Sequence, residues 1–257
     1  MTSDDVILRV DDIARHFGGV KAVDGASFTV RRGSITSLIG PNGAGKTTAF
    51  NLVTGFARTD SGRVFLNGRD VSGLRSDQRA RLGMVRTFQL TRVLGKMTVL
   101  ENAMLAAPDQ PGERMWNTLL PWTWRRREAE VRQRAMQVLE EIGLGTKAGD
   151  YAATLSGGQR KLLELGRALM AEPELMMLDE PMAGVNPTLG RQLLDYLDRL
   201  RGERGLTVLF IEHDMDVVMG VSDEVVVMSE GRVLLQDRPD VVRSDERVID
   251  AYLGAHT

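Results

Sequence analysis

Cysteine is absent from the chain. That removes any disulfide framework, thiolate metal site or cysteine nucleophile, and it fits a reducing compartment. Cationic excess is missing too: 33 Lys and Arg stand against 35 Asp and Glu, a formal net charge of −2. A protein that neutralises nucleic-acid phosphates normally carries a clear basic surplus, so the composition argues against a nucleic-acid binder. No apolar run approaches the roughly 20 residues that cross a bilayer. Met1 to Asp5 is polar and acidic, where a secretory signal would place cations ahead of an apolar core. The expectation is a protein that meets a membrane only at its surface or through a spanning partner. There is no internal repeat and no low-complexity tract. What is present is ordinary globular material, 257 residues at 42% hydrophobic content, sufficient for one large or two small packed lobes.

Short apolar runs predict strands at Ile7–Val10, Ser27–Val30, Ile35–Ile39, Val64–Leu66, Leu175–Asp179, Val208–Ile211, Val225–Met228 and Val233–Gln236. Helical spacing covers Lys46–Thr54, Val99–Ala106, Arg126–Ile142, Gly157–Met170, Thr188–Arg204, Met215–Gly220 and Asp245–Tyr252. The fifth of these opens with Asn186 as cap and Pro187 in the first turn. Strands alternating with helices imply an α/β fold on a largely parallel sheet. Between Thr91 and Leu155 the alternation stops, which predicts a mainly helical lobe, residues 91–160, inserted into a core made of residues 1–90 and 161–257.

Directly after the Ile35–Ile39 run comes Gly40-Pro41-Asn42-Gly43-Ala44-Gly45-Lys46-Thr47-Thr48. This is a Gly-rich loop between a strand and a helix, the context a phosphate-binding loop requires. Gly43 and Gly45 let backbone N–H groups curl around phosphate oxygens, and the helix start adds its positive dipole end. Lys46 can reach the β- and γ-phosphates, and Thr47 can hold Mg²⁺. A Gly-rich turn that binds nothing would not need the lysine, the hydroxyls, the strand and the helix together, so a nucleoside triphosphate is the expected ligand.

A second buried run, Leu175 to Leu178, ends in Asp179-Glu180-Pro181, putting two carboxylates where a strand leaves the sheet. Asp179 is suited to Mg²⁺ through water, and Glu180 to polarising an attacking water. In isolation a solvated acidic turn reads the same way; beside the phosphate loop the catalytic reading is preferred. His213, one of three histidines, follows the run Val208–Ile211 and could donate a hydrogen bond to a developing γ-phosphate charge. Leu155-Ser156-Gly157-Gly158-Gln159 forms another anion-receptive helix start. One nucleotide does not need two such starts from one subunit. Two copies packed head to tail would sandwich each nucleotide between the phosphate loop of one and this loop of the other.

Together these motifs resemble the ABC ATPases along the whole chain. The resemblance implies a P-loop core with a mostly parallel sheet, an N-terminal antiparallel β portion and an inserted helical subdomain. Gly40 to Thr48 is similar to the family's Walker A motif, Leu155 to Gln159 to its signature sequence, and Leu175 to Glu180 to its Walker B strand with the catalytic glutamate. His213 matches the H-loop. Gln89, on spacing alone a polar residue ending a strand, matches the Q-loop residue that serves the metal and the catalytic site. Phe17 falls where the family stacks an aromatic ring on adenine; an ordinary core phenylalanine is the other reading. At the D-loop the chain departs from the commonest pattern, with Asn186 in place of Asp. ATP and Mg²⁺ are the implied cofactors. The implied partners are membrane-spanning permease subunits, a second ATPase subunit (a copy or a paralogue) in a head-to-tail dimer and, indirectly, a substrate-binding protein. The implied place is the cytoplasmic face of the bacterial inner membrane.

Arg86-Thr87-Phe88-Gln89, Glu101-Asn102, Met182-Ala183-Gly184-Val185-Asn186-Pro187, Ile211-Glu212-His213-Asp214-Met215 and Ala251-Tyr252-Leu253-Gly254 look like the subfamily serving branched-chain amino-acid importers. Relatives that carry urea, amides or aromatic acids are also similar. A chromosome or repair ATPase would split the two half-sites with a long coiled coil, for which the stretch between Lys46 and Ser156 has no room. A soluble translation regulator usually carries two cassettes, and this chain has one of each motif. Trp116, Trp122 and Trp124 precede Arg125-Arg126-Arg127. They read as a local core with a basic face in preference to a headgroup contact.

Overall fold

Three apolar runs frame the molecule: β3 (Ile35–Ile39), β7 (Leu175–Asp179) and β8 (Thr207–Ile211) are buried at every position. Burial on both faces marks parallel strands covered by helices. In the computed structural model, which describes residues 5–87, 93–108 and 121–253, they lie in a six-stranded sheet. Its order is β10-β9-β3-β8-β7-β6, with β6 at Met84–Arg86, β9 at Glu224–Ser229 and β10 at Arg232–Asp237. All neighbours are parallel except β9 and β10.

A separate four-stranded antiparallel sheet, β2-β1-β4-β5, is built from β1 (Val6–Phe17), β2 (Val20–Arg31), β4 (Ser61–Leu66) and β5 (Arg69–Asp70). The expected mostly parallel sheet with an N-terminal antiparallel portion is thus present. β1 runs well past the predicted end at Val10. Register shifts and a positive φ of 50° at Asp12 break the alternation there, so that Ile13 and Ala14 are buried in succession and the period-two signal is lost.

The described chain divides into two compact units. One holds the chain up to Arg86, Glu174–Met182 and the part from Leu197 onward; the other holds Thr87–Pro173 and Ala183–Tyr196. The first carries both sheets, α1 (Lys46–Thr54), α2 (Ser76–Ala80), α7 (Met215–Val221), α8 (Pro239–Ser244) and α9 (Glu246–Leu253). Its core joins Leu8 and Phe28 of the antiparallel sheet to Leu38, Leu209 and Val226 of the parallel one, with Phe50 and Leu52 of α1 between. Burying these side chains is worth roughly 1.5–3 kcal/mol each.

The second unit is helical: α3 (Val99–Met104), α4 (Pro121–Glu141), α5 (Gly157–Met170) and the first part of α6 (Pro187–Arg204). α4 begins at a proline, ahead of the predicted Arg126, and a proline in the first turn costs no hydrogen bond. Trp122 and Trp124 lie in this helix, while Trp116 lies outside the described residues. The pair Glu101-Asn102 has structural work here. Glu101 completes a capping box, accepting from the Thr98 N–H at 2.7 Å while Thr98 Oγ1 accepts from the Glu101 N–H at 3.1 Å. Asn102, fully buried, accepts from the Leu94 N–H at 2.9 Å and donates to the Leu94 and Thr98 carbonyls at 3.0 and 2.9 Å.

Candidate active site

Register places the carboxyl ends of three strands side by side: Leu38 of β3 and Asp179 of β7 both align with Ile211 of β8. Open α/β sheets bind ligands at these ends. What leaves each strand is the chemistry picked out above, namely the Gly40 loop after β3, Glu180 after β7, and Glu212 and His213 after β8.

The loop after β3 turns directly into α1. Gly45 sits at the cap position with φ 94° and no side-chain cap, so the amides of the first turn point outward for an anion. A Cβ there would meet the Ala22 carbonyl oxygen at 2.2 Å, so only glycine fits. Lys46 is 6% exposed, and its Nζ donates to the carbonyls of Gly40 and Pro41 at 2.7 and 2.9 Å, leaving a third N–H for a phosphate oxygen. Burial pushes the Lys46 ammonium below the ordinary lysine value, and the Glu180 carboxylate opposes that shift. Pro41, Ala44 and Gly45 shape the turn, while Asn42, Gly43 and Thr47 are exposed and Thr48 is half-buried.

Glu180 stands in the left-handed region at φ 48°, a conformation that costs a residue with a Cβ about 1 kcal/mol or more. Its N–H still donates to the Ile211 carbonyl at 3.1 Å, extending the β7–β8 pairing past the strand end. The turn brings Glu180 Oε1 to 2.7 Å from His213 Nε2. Glu212 explains why both loops hold this shape. Its buried carboxylate accepts from the Met182 N–H at 2.8 Å and from the His213 N–H at 3.1 Å, pinning the exit of β7 to the exit of β8.

Asp179, 6% exposed, is ion-paired to Arg86, with Nη2 to Oδ2 at 2.6 Å. The sequence quotes Arg86 and Glu212 inside motifs without assigning them roles. Their signal was positional, each lying at or next to the end of a strand bearing a named residue, and nothing in the periodicity revealed the partner. Gln89 lies outside the described residues.

Phe17 is 52% exposed at the tip of the β1–β2 hairpin, with the Arg15 guanidinium 5.0 Å from its ring. Exposure excludes the core reading and leaves a ring face available for stacking. In the second unit Ser156 caps α5, accepting from the Gln159 N–H at 3.3 Å while the Gln159 side chain accepts from the Ser156 N–H at 3.0 Å. Gly158 packs against Leu189, whose Cδ2 would lie 2.3 Å from an added Cβ; Gly157 faces open space. Asn186 caps α6, its Oδ1 accepting from the Leu189 N–H at 2.8 Å. The residue that departs from the common D-loop pattern therefore has a local structural use.

These donors and carboxylates fit a magnesium nucleotide, with buried Lys46, uncapped α1 amides and Asp179 set at adjoining strand ends. Comparison with known proteins points to ATP-binding relatives. The ABC transporter family model matches residues 23–183. A second model, for branched-chain amino acid ATP-binding cassette transporters, matches residues 232–257. The chain is 41% identical over 249 residues to a probable branched-chain amino acid transport ATP-binding protein, LivG, of Archaeoglobus fulgidus, covering 97% of this chain and 96% of that protein. It is 42% identical to the high-affinity LivG of Salmonella typhimurium, covering 96% and 98%. Among solved structures, an ATP-binding cassette of an ABC transporter in its ADP conformation superposes with a TM-score of 0.84 at 40% identity, covering 97% of this chain and 99% of that one. A nucleotide-free cassette gives 0.83 at 39%, covering 96% and 98%. With the motifs, their placement on the sheet and these relatives in accord, the chain belongs to the ABC transporter family, on the branch of ATP-binding cassettes named for branched-chain amino-acid transport.

Proposed function

We propose that this chain is the ATP-hydrolysing subunit of a membrane importer of branched-chain amino acids, working on ATP with Mg²⁺. The observation that carries the reading is the Glu180–His213 contact at 2.7 Å, formed at strand ends that adjoin the Lys46 loop. The names of the relatives support the cargo.

Magnesium, when bound, neutralises phosphate charge. Among the described residues no group of three or more His, Asp or Glu side chains could hold it alone. Thr47 and Asp179 would hold it together with the phosphates and Gln89, the usual economy of Mg²⁺ sites. The amides of Gly43, Ala44 and Gly45 with Lys46 cradle the phosphates, and Thr48 and the rest of the Gly40–Thr48 loop hold that cradle in shape. Phe17 stacks on the base. Glu180 orients the attacking water and takes its proton; His213 fixes the Glu180 carboxylate and faces the developing charge.

Ser156, Gly157, Gly158 and Gln159 present the start of α5 to the nucleotide of a second ATPase subunit in a head-to-tail dimer. Closing and opening of that dimer drive permease subunits served by a substrate-binding protein, and no nucleic acid is engaged. No helix among the described residues is long and apolar enough to cross a membrane, and the subunit works from the cytoplasmic face through its permease.

The test is Glu180→Gln. ATP turnover should fall by about 100-fold or more while nucleotide binding persists and a closed dimer accumulates. Turnover at the wild-type rate removes Glu180 as the base.

A further inference from the structure

Arg86 is a buried cation at the end of β6 and the last residue of the first unit's opening segment, from which the chain leaves at Thr87. Its side chain is 10% exposed and the Asp179 side chain 4%. Nη2 donates to Asp179 Oδ2 at 2.6 Å, while Nη1 donates to Asn51 Oδ1 at 2.5 Å and Thr54 Oγ1 at 3.3 Å. The guanidinium also lies 4.9 Å from the Phe50 ring and 5.2 Å from the Phe56 ring. Nε is buried with no hydrogen-bond partner. The fork is therefore oriented by what lies at its tip, at the expense of a donor along its stem. A buried ion pair gains little stability over apolar residues of the same volume, so stability alone does not account for this one. What it does provide is a fixed Asp179 carboxylate, held through one oxygen, with both helix α1 and strand β7 tied to the same planar group.

We propose that Arg86 is a positioning residue for the magnesium nucleotide: its two-sided clamp between Asn51 and Asp179 fixes the Asp179 carboxylate so that Oδ1 meets the hydrated ion without having to be ordered first. This rests on the nucleotide reading above. Arg86 touches neither nucleotide nor ion in this assignment; it acts through Asp179. Keeping the charge while losing the fork isolates the geometry, because a lysine ammonium can hold one partner at a time.

The experiment uses the full chain and a fluorescent ATP analogue, titrated with Mg²⁺ and, separately, in EDTA. Arg86→Lys should raise the Mg²⁺ concentration for half-maximal enhancement of binding by about tenfold, the worth of one charge-assisted hydrogen bond. Affinity in EDTA should stay within about twofold of wild type, because the Lys46 loop is untouched. Asn51→Ala leaves the ion pair in place but frees one side of the clamp, and should shift the same midpoint by about threefold. That variant keeps the inference testable if Arg86→Lys fails to fold. An unchanged or lowered Mg²⁺ midpoint, or an equal loss in EDTA and in Mg²⁺, overturns the positioning role. Failure of the nucleotide reading itself looks different: the wild-type chain would bind no nucleotide at any Mg²⁺ concentration.

Discussion

At the residue scale, the clearest example of a role no pattern announces is Arg79. It is 1% exposed, and its guanidinium donates to the carbonyls of Leu52, Val53, Ser72 and Leu74. Burial lowers its pKa to about 10, against the pull of Asp70, so it remains charged at neutral pH. Two of its acceptors, Leu52 and Val53, belong to the last turn of α1, where the Leu52 carbonyl also accepts from the capping Gly55 N–H at 3.3 Å. Replacing it by methionine keeps the bulk but removes the guanidinium N–H donors from those carbonyls. Arg79→Met should therefore cost about 2–4 kcal/mol in urea unfolding, and a shift under about 0.5 kcal/mol would mean that water replaces the guanidinium. In the sequence Arg79 is one arginine among several in a polar stretch. Only the chain segments folded around it, residues 52–53 and 72–74, make it structural. Glu212 teaches the same lesson, since a carboxylate next to a histidine reads as surface charge until two backbone N–H groups are found on it.

At the element scale, legibility followed length and regularity. β3, β7, α1 and α5 stand at the limits predicted, because a run of consecutive apolar residues ending in a glycine or a carboxylate, a helix bracketed by glycines, or one opened by a capping serine carries its own punctuation. α2 and α8, at five and six residues, were not predicted, since so short a helix contains less than two turns of periodicity. The loop joining β3 to α1 is where element geometry becomes chemistry, and two alanine substitutions separate its requirements. Gly45→Ala drives a Cβ into the Ala22 carbonyl and strains φ as well; Gly43→Ala, at φ 82° with nothing within 4 Å, pays only the dihedral term. The first should abolish measurable nucleotide binding and destabilise the fold by about 2 kcal/mol or more, the second by about 1 kcal/mol. Urea midpoints check both. Equal effects would show that steric approach to β2 is irrelevant.

At the scale of the whole molecule, the proposed dimer gives the Leu155–Gln159 loop of the second unit a use outside the single chain. Ser156→Arg removes the cap of α5, worth about 1 kcal/mol, and places a bulky cation where a second subunit's nucleotide would lie. In a Glu180→Gln background it should abolish ATP-dependent dimerisation in size-exclusion chromatography, while monomer affinity for nucleotide stays within about threefold. Dimers formed as readily as before would remove the loop from the interface. By itself the sequence determined the phosphate loop, the acidic strand end, the histidine and the family, because these rest on residue types at fixed local spacing, and local spacing survives without a fold. The tertiary structure alone decided that Glu180 meets His213, that Glu212 pins both loops and that Arg86 clamps Asp179. Those pairs are far apart in the chain, and only the parallel register of β6, β7 and β8 sets them side by side.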